Sequence, residues 1–230
     1  MQIHLEEELG QLKEMLFRMS DLSLEAIADA VESLKTQDVS LSKKVTKNDK
    51  EIDQMEKDID DLCLKIIVTQ QPAASDLRFI LSVMKINTDL ERIADLASTI
   101  ARQTKKLAGQ ILVKPLIDIP RMAEISAEMM KFSLLAVSEK STEKAVKVLE
   151  MDKMLDELDS QIYRELYSYM LENPSVIAQS MALIKASKSL ERIGDHIKNI
   201  AERAVYYIQG DDIRHLSKSK FKALLDQEER

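Results

Sequence analysis

Apolar residues return along this chain at steps of three and four. Leu5, Leu9, Leu12, Leu16, Met19, Ala26 and Ala30 form one stripe, with Ser23 in the single missing place. Leu41, Val45, Ile52, Met55, Ile59, Leu62 and Ile66 form a second, with Asn48 in its gap; Ile80, Val83, Asn87, Leu90, Ala94, Ala97 and Ala101 form a third. That period places each set on one face of a long helix, with a heptad-like seam. Punctuation is sparse. Thr36-Gln37-Asp38 separates the first two helices, and Gln71-Pro72-Ala73-Ala74-Ser75 the next two, where Ser75 or Asp76 is the expected N-cap. Gly109, Pro115 and Pro120 mark an extended connection. The pattern then restarts, predicting helices near 121–139, 141–171 and 176–209, with a bend at Asn173-Pro174 and Gly210 as the terminator.

The two halves repeat one unit. Asp49-Lys50-x-Ile-Asp53 matches Asp152-Lys153-x-Leu-Asp156 at an offset of 103, and Leu90-Glu-Arg-Ile-Ala-Asp95 matches Leu190-Glu-Arg-Ile-Gly-Asp195 at an offset of 100. The difference falls at a bend, where indels are tolerated. The expected fold is therefore all-α: two tandem three-helix bundles, six long antiparallel helices, related by a pseudo-twofold internal repeat. The first bundle is expected over residues 1–108 and a linker over 109–120. The second follows over 121–210, then a short tail over 211–230 that reads as a brief helix or a frayed end.

Composition supports helices: 4 Gly, 4 Pro and no Trp leave few turns for 230 residues. A net charge of -7 argues against nucleic acid or anionic membranes as general partners, since both need cationic patches. The lone Cys63 has no partner for an intramolecular disulfide and suits a reducing compartment. The N-terminal stretch does not read as a signal peptide, and no apolar run approaches the roughly 20 residues of a membrane span. A cytoplasmic protein is expected.

The chemistry lies in four acid pairs spaced i, i+4: Asp49/Asp53, Glu91/Asp95, Asp152/Asp156 and Glu191/Asp195. Like charges at that spacing share a helix face and cost an isolated helix about 0.2–0.5 kcal/mol per pair. Asp53 and Glu91 are equidistant from Pro72, as are Asp49 and Asp95; Pro174 relates the pairs of the second half within one residue. Antiparallel helices rise equally, so each hairpin brings four carboxylates to one level. Two readings follow. Oxygen donors so gathered suit a hard cation such as magnesium, calcium, manganese or iron. Alternatively, these are solvated faces paired with Arg92, Arg192, Lys50 and Lys153. Enzyme templates fit poorly: Glu-x-x-His, Cys-x-x-Cys, His-Glu-x-x-His and a Gly-rich phosphate loop are all missing. The Met-rich stripes (Met122, Met129, Met130, Met151, Met154, Met181) read as core filling. The tyrosines, among them Tyr163 and Tyr167, read as packed with the hydroxyl at the rim. His196 reads as a boundary residue.

Those motifs resemble a known family. Glu91-Arg-Ile-Ala-Asp95 and Glu191-Arg-Ile-Gly-Asp195 look like the duplicated E(D)xxxD motifs of the PhoU family of phosphate-transport accessory regulators. Gln71-Pro72-x-Ala74-Ser75-Asp76-Leu77-Arg78 is similar to its second interhelical loop, and Tyr206-Tyr207-x-x-Gly210-x-Asp212-x-Arg214-His215 to its C-terminal end. The resemblance implies a non-enzymatic negative regulator of phosphate uptake and the phosphate regulon. Its partners would be the phosphate ABC transporter ATPase and the phosphate-sensing histidine kinase, its oligomer a homodimer, and its contact with the membrane made only through partners. It also implies metal clusters of iron, zinc or another metal at Asp49, Asp53, Glu91, Asp95, Asp152, Asp156, Glu191 and Asp195. Asn199 continues the stripe in the second half where Thr99 stands in the first, so the two sites are expected to differ in occupancy. The alternative is a carboxylate-bridged metal-binding bundle with a redox or storage role.

Overall fold

The computed structural model describes residues 2–210, with side chains from His4 onward. Six long helices follow in order: α1 Gln2–Thr36, α2 Val39–Gln70, α3 Ala74–Leu107, α4 Asp118–Glu139, α5 Thr142–Glu172 and α6 Ile177–Gln209, with one 3₁₀ turn at Pro174–Val176. Among the described residues there is no strand, and no helix is long and apolar enough to cross a membrane. The expected tail lies outside the described residues.

Local chemistry sets the helix ends. The Asp38 carboxylate caps α2 by accepting from the backbone N–H groups of Ser40 (2.7 Å) and Leu41 (3.0 Å). Ser141 caps α5 by accepting from Lys144 N–H at 3.4 Å. Gly210 stops α6 at φ 84°, a left-handed conformation in which a side chain would be strained. Two expected ends move. Helix α3 starts after Ala73, which offers no side-chain cap, so Ser75 and Asp76 sit inside the first turn; there Asp76 meets the positive helix end. Helix α4 starts at Asp118, so Pro120 lies in its first turn, where an N–H would have no intrahelical partner anyway. Of the two prolines, only Pro115 belongs to the connection.

Each half is a trio, α1–α2–α3 and α4–α5–α6, and the trios are fused. Helix α3 packs extensively along α6, and α1 touches α4, so one continuous apolar core serves both halves. Helices α3 and α6 run antiparallel: the Phe79 ring meets Tyr207 with centroids 5.2 Å apart, and Asp89 meets His196 further along. These pairings place Ile93 and Ile193, both fully buried, at a common pivot. The repeat extends to single atoms. Ser23 and Ser126, at matched positions, each return their hydroxyl to the carbonyl four residues back, Met19 and Met122, at 2.9 Å. Met122, Met129 and Met130 fill the core as expected, whereas Met154 and Met181 stand largely in solvent.

The connection between the trios is held from both sides. Gln37 donates to the Gln110 carbonyl (2.8 Å) and accepts from Gly109 N–H (2.9 Å). The buried Gln179 donates to the Ile111 carbonyl (2.9 Å) and accepts from Val113 N–H. Lys114 then pairs with Asp118 (2.8 Å) and Glu165. Two glutamine side chains thus satisfy backbone groups that no helix could reach.

Cys63 is fully buried on α2, and burial pushes its thiol up to about 12. The thiolate is the reactive form. A neutral disulfide reagent is expected to leave the folded protein unmodified at pH 8 and to label one thiol per chain once denaturant unfolds it; rapid labelling without denaturant would contradict this packing.

Candidate functional site

Helix α2 carries Asp49, Asp53 and, one turn on, Glu56; α3 carries Glu91 and Asp95 alongside. The levelled arrangement appears in how these groups act on one another. The Asp49 carboxyl is raised above its ordinary 3.8 first by burial and then by the negative charge of Asp95 across the groove, with Asp53 adding to it. Glu91 is raised by burial and by Asp95, Glu56 and Asp53, while Arg92 opposes the rise. Glu56, absent from the sequence reading, is raised by burial, Asp60 and Asp53. It stands one turn from Asp53 and next to Asn87, whose buried amide donates to the Glu56 carbonyl (2.8 Å) and the Asp60 carboxylate (3.0 Å). Countercharge here is loose: the half-exposed Arg92 lies 3.4 Å from Glu91 and 3.5 Å from Asp95.

The second half repeats the carboxylates but adds lysines. Asp152 on α5 is only 6% exposed and accepts from Lys198 Nζ of α6 at 2.7 Å; the same ammonium reaches Asp195 at 3.5 Å. Burial still raises the Asp152 carboxyl, against the opposing pull of Lys198. Asp156 is raised by burial and by the Glu191 and Asp195 charges. Lys188 Nζ binds Glu191 at 2.6 Å. At the repeat-related places in the first half stand Thr88 and Ser98. The Ser98 hydroxyl is fully buried and lies beside the Asp49 carboxylate, where it opposes the rise that burial causes. The second groove therefore has two lysines that the first lacks, while in the first Arg102 acts on Asp49 where the second half has Glu202. The sequence carried this signal as Lys against Ser and Thr at an offset of 100.

Gly194 makes room for a side chain of the second groove. A Cβ there would come 2.4 Å from Leu155 Cδ1 of α5, so an alanine would require that buried leucine to shift. Its counterpart is Ala94.

Asn199 is not part of the acidic tier. Its amide donates to Asp89 Oδ1 of α3 at 3.2 Å, and His196 Nδ1 meets the same oxygen at 2.8 Å. Residue 199 lies round the helix from Asp195 on the side packed against α3, and becomes a tie between the halves. Among the described residues no three His, Cys, Asp or Glu side chains close on one cation-sized point. Both tiers are gathered grooves of oxygen donors, not finished cages.

Two stability tests follow. Lys198→Ala leaves the Asp152 carboxylate buried without its donor and is expected to lower unfolding free energy by about 1–3 kcal/mol in denaturant titration. Asp49→Asn relieves repulsion and is expected to raise it by about 0.2–0.5 kcal/mol at neutral pH. Because folding raises the Asp49 carboxyl, the wild type loses stability as pH climbs through that folded value. The gain from asparagine should therefore fade as pH falls to where the acid is protonated in both states.

Comparison with known proteins agrees with this architecture. The family model described as the PhoU domain matches twice, over residues 16–104 and 119–204. The Pseudomonas aeruginosa "phosphate-specific transport system accessory protein PhoU homolog" is 37% identical over 216 residues, covering 94% of this chain and 89% of that protein. The Aquifex aeolicus homolog is 41% identical over 208 residues, covering 90% and 94%. The crystal structure of PhoU from Pseudomonas aeruginosa superimposes with a TM-score of 0.85 at 36% identity, over 90% of this chain and 99% of that one. With a doubled domain match, relatives over nearly its whole length and the same six-helix arrangement, this chain belongs to the PhoU family.

Proposed function

We propose that this protein is a cytoplasmic negative regulator of phosphate uptake and phosphate-regulon signalling. It acts as a non-catalytic adaptor between the phosphate ABC transporter ATPase and the phosphate-sensing histidine kinase, and meets the membrane only through those partners. What carries the reading is the family, whose members here bear the name of phosphate-specific transport system accessory proteins. A fused helical core braced across two halves supports it, because such a scaffold can present surfaces to two partners without a chemical step. A homodimer, joined through a surface other than the acidic grooves, is part of the proposal.

The first-half tier is its metal-binding part. Asp49, Asp53, Glu91 and Asp95, with Glu56, would hold a hard divalent or trivalent cation, and the mutual repulsion of these carboxylates across the groove supports that assignment. Glu191 and Asp195 of the second half have lysines for countercharge, as do Asp152 and Asp156, so occupancy there would be weaker.

For regulation, a strain lacking the protein should express a phosphate-regulon phosphatase reporter in phosphate-rich medium, and a plasmid copy should restore repression. Normal repression in the deletion strain would refute the role. For metal, equilibrium dialysis against Mn²⁺ should show binding that Asp49→Asn/Asp95→Asn removes, that Asp152→Asn/Asp195→Asn largely spares, and that Lys198→Ser increases. Unchanged stoichiometry in the first variant would remove the metal assignment and leave the regulatory one standing.

A further inference from the structure

Large apolar side chains are exposed at repeat-related places. In the first half these are Leu64 and Val68 at the end of α2 and Leu81 at the start of α3; in the second, Tyr167 and Leu171 of α5 and Met181 of α6. The offsets are 103 for the α2/α5 residues and 100 for the α3/α6 residues, the same that relate the acidic motifs. Val68 is 76% exposed and Leu171 69%, and Tyr163, itself exposed, stacks beside Tyr167 at 6.3 Å. Scattered surface hydrophobes need no explanation, but a set that recurs under the internal symmetry does.

The fold puts both patches on one face. Since α3 packs on α6 and α1 on α4, the pseudo-twofold axis passes between both pairs, perpendicular to the helices. Rotation about it carries the α2–α3 groove onto the α5–α6 groove on the same side of the molecule. Leu81 and Met181 each lie twelve residues before the pivot residues Ile93 and Ile193, in antiparallel helices. At 1.5 Å per residue the patches stand about 36 Å apart along the helices. Between them lie the two acidic tiers and the Asp89–His196 contact.

We propose that this four-helix face, α2–α3–α6–α5, docks a twofold-symmetric protein partner. Each of the partner's two subunits seats one apolar segment on one patch, with basic surface over the acidic middle. Resting on the adaptor reading, the occupant is the transporter ATPase, because ABC ATPase subunits work as a twofold pair. A second copy of this chain fits less well: matching its apolar ends would lay acidic tier against acidic tier. Aromatic anchors such as Tyr167 are the side chains that dominate interface energies.

The test titrates the purified ATPase pair with the full chain. Each four-helix face should bind one ATPase pair, and a homodimer joined elsewhere carries two such faces. Leu64→Glu and Tyr167→Glu should each weaken binding at least about tenfold, and together abolish it, because each patch supplies one of two linked contacts. All three variants should keep wild-type helicity and melting temperature, since these side chains touch solvent. Wild-type affinity in the combined variant would overturn the symmetric face while leaving the adaptor standing. So would self-association that the combined variant abolishes, which would assign the face to a second copy. Tighter binding after removal of residues 211–230 would give the first patch to the chain's own C-terminal segment. Failure of the wild-type chain to bind the ATPase would overturn both this face and the adaptor reading.

Discussion

The antiparallel contact of α3 with α6 sets every other position in the molecule. Its centre, around Ile93 and Ile193, is sealed from water, and the helices leave that centre with their buried faces turned toward each other. Once those faces are committed, α1 and α2 can cover only the remaining apolar side of α3, and α4 and α5 that of α6. Burying an Ile or Leu side chain contributes roughly 1.5–3 kcal/mol, and this seam buries several from each half in one place. Two trios sharing a core form one mechanical body, so a contact made at either hairpin tip bears on the whole.

That body places like charges together. The acidic tiers lie in the grooves flanking the central pair, where partial burial penalises ionised carboxyls and neighbours across the groove add to the penalty. The two halves resolve the conflict differently. The second sets Lys198 and Lys188 among its carboxylates and packs Leu155 against Gly194. The first keeps Ser98 and Thr88 at those places and leaves the charge to the half-exposed Arg92 and to Arg102, with no ammonium bound to Asp49 or Asp53 among the described residues. The internal repeat thus keeps its acids and changes their countercharge, so one groove carries lysines bound to its carboxylates and the other does not.

Much of this could be read directly from the residues. The 3.6-residue stripes, the punctuation at Gln37, Pro72 and Asn173, and the offsets of 103 and 100 were enough for six helices in two matched trios, because helix period and turn chemistry are local properties of the chain. Equal distances from Pro72 put Asp49 level with Asp95, since rise per residue is a constant of the α-helix. Tyr163 and Tyr167 could not be read that way. Their spacing fits a packed face, but no helix among the described residues stands opposite them, and both are exposed.

Sequence alone determined which residues share a helix face and which helices share a level. It could not determine what stands across a groove, because that depends on rotation about the helix axis and on the closeness of two packed backbones. Asn199 shows the difference: its spacing continues the acidic stripe, but packing of α6 on α3 turns its amide to Asp89. Lys198 shows it again, as a surface lysine by composition that packing makes the partner of a buried aspartate. Distances along a helix are fixed by covalent geometry; distances between helices are fixed by which side chains can be buried together.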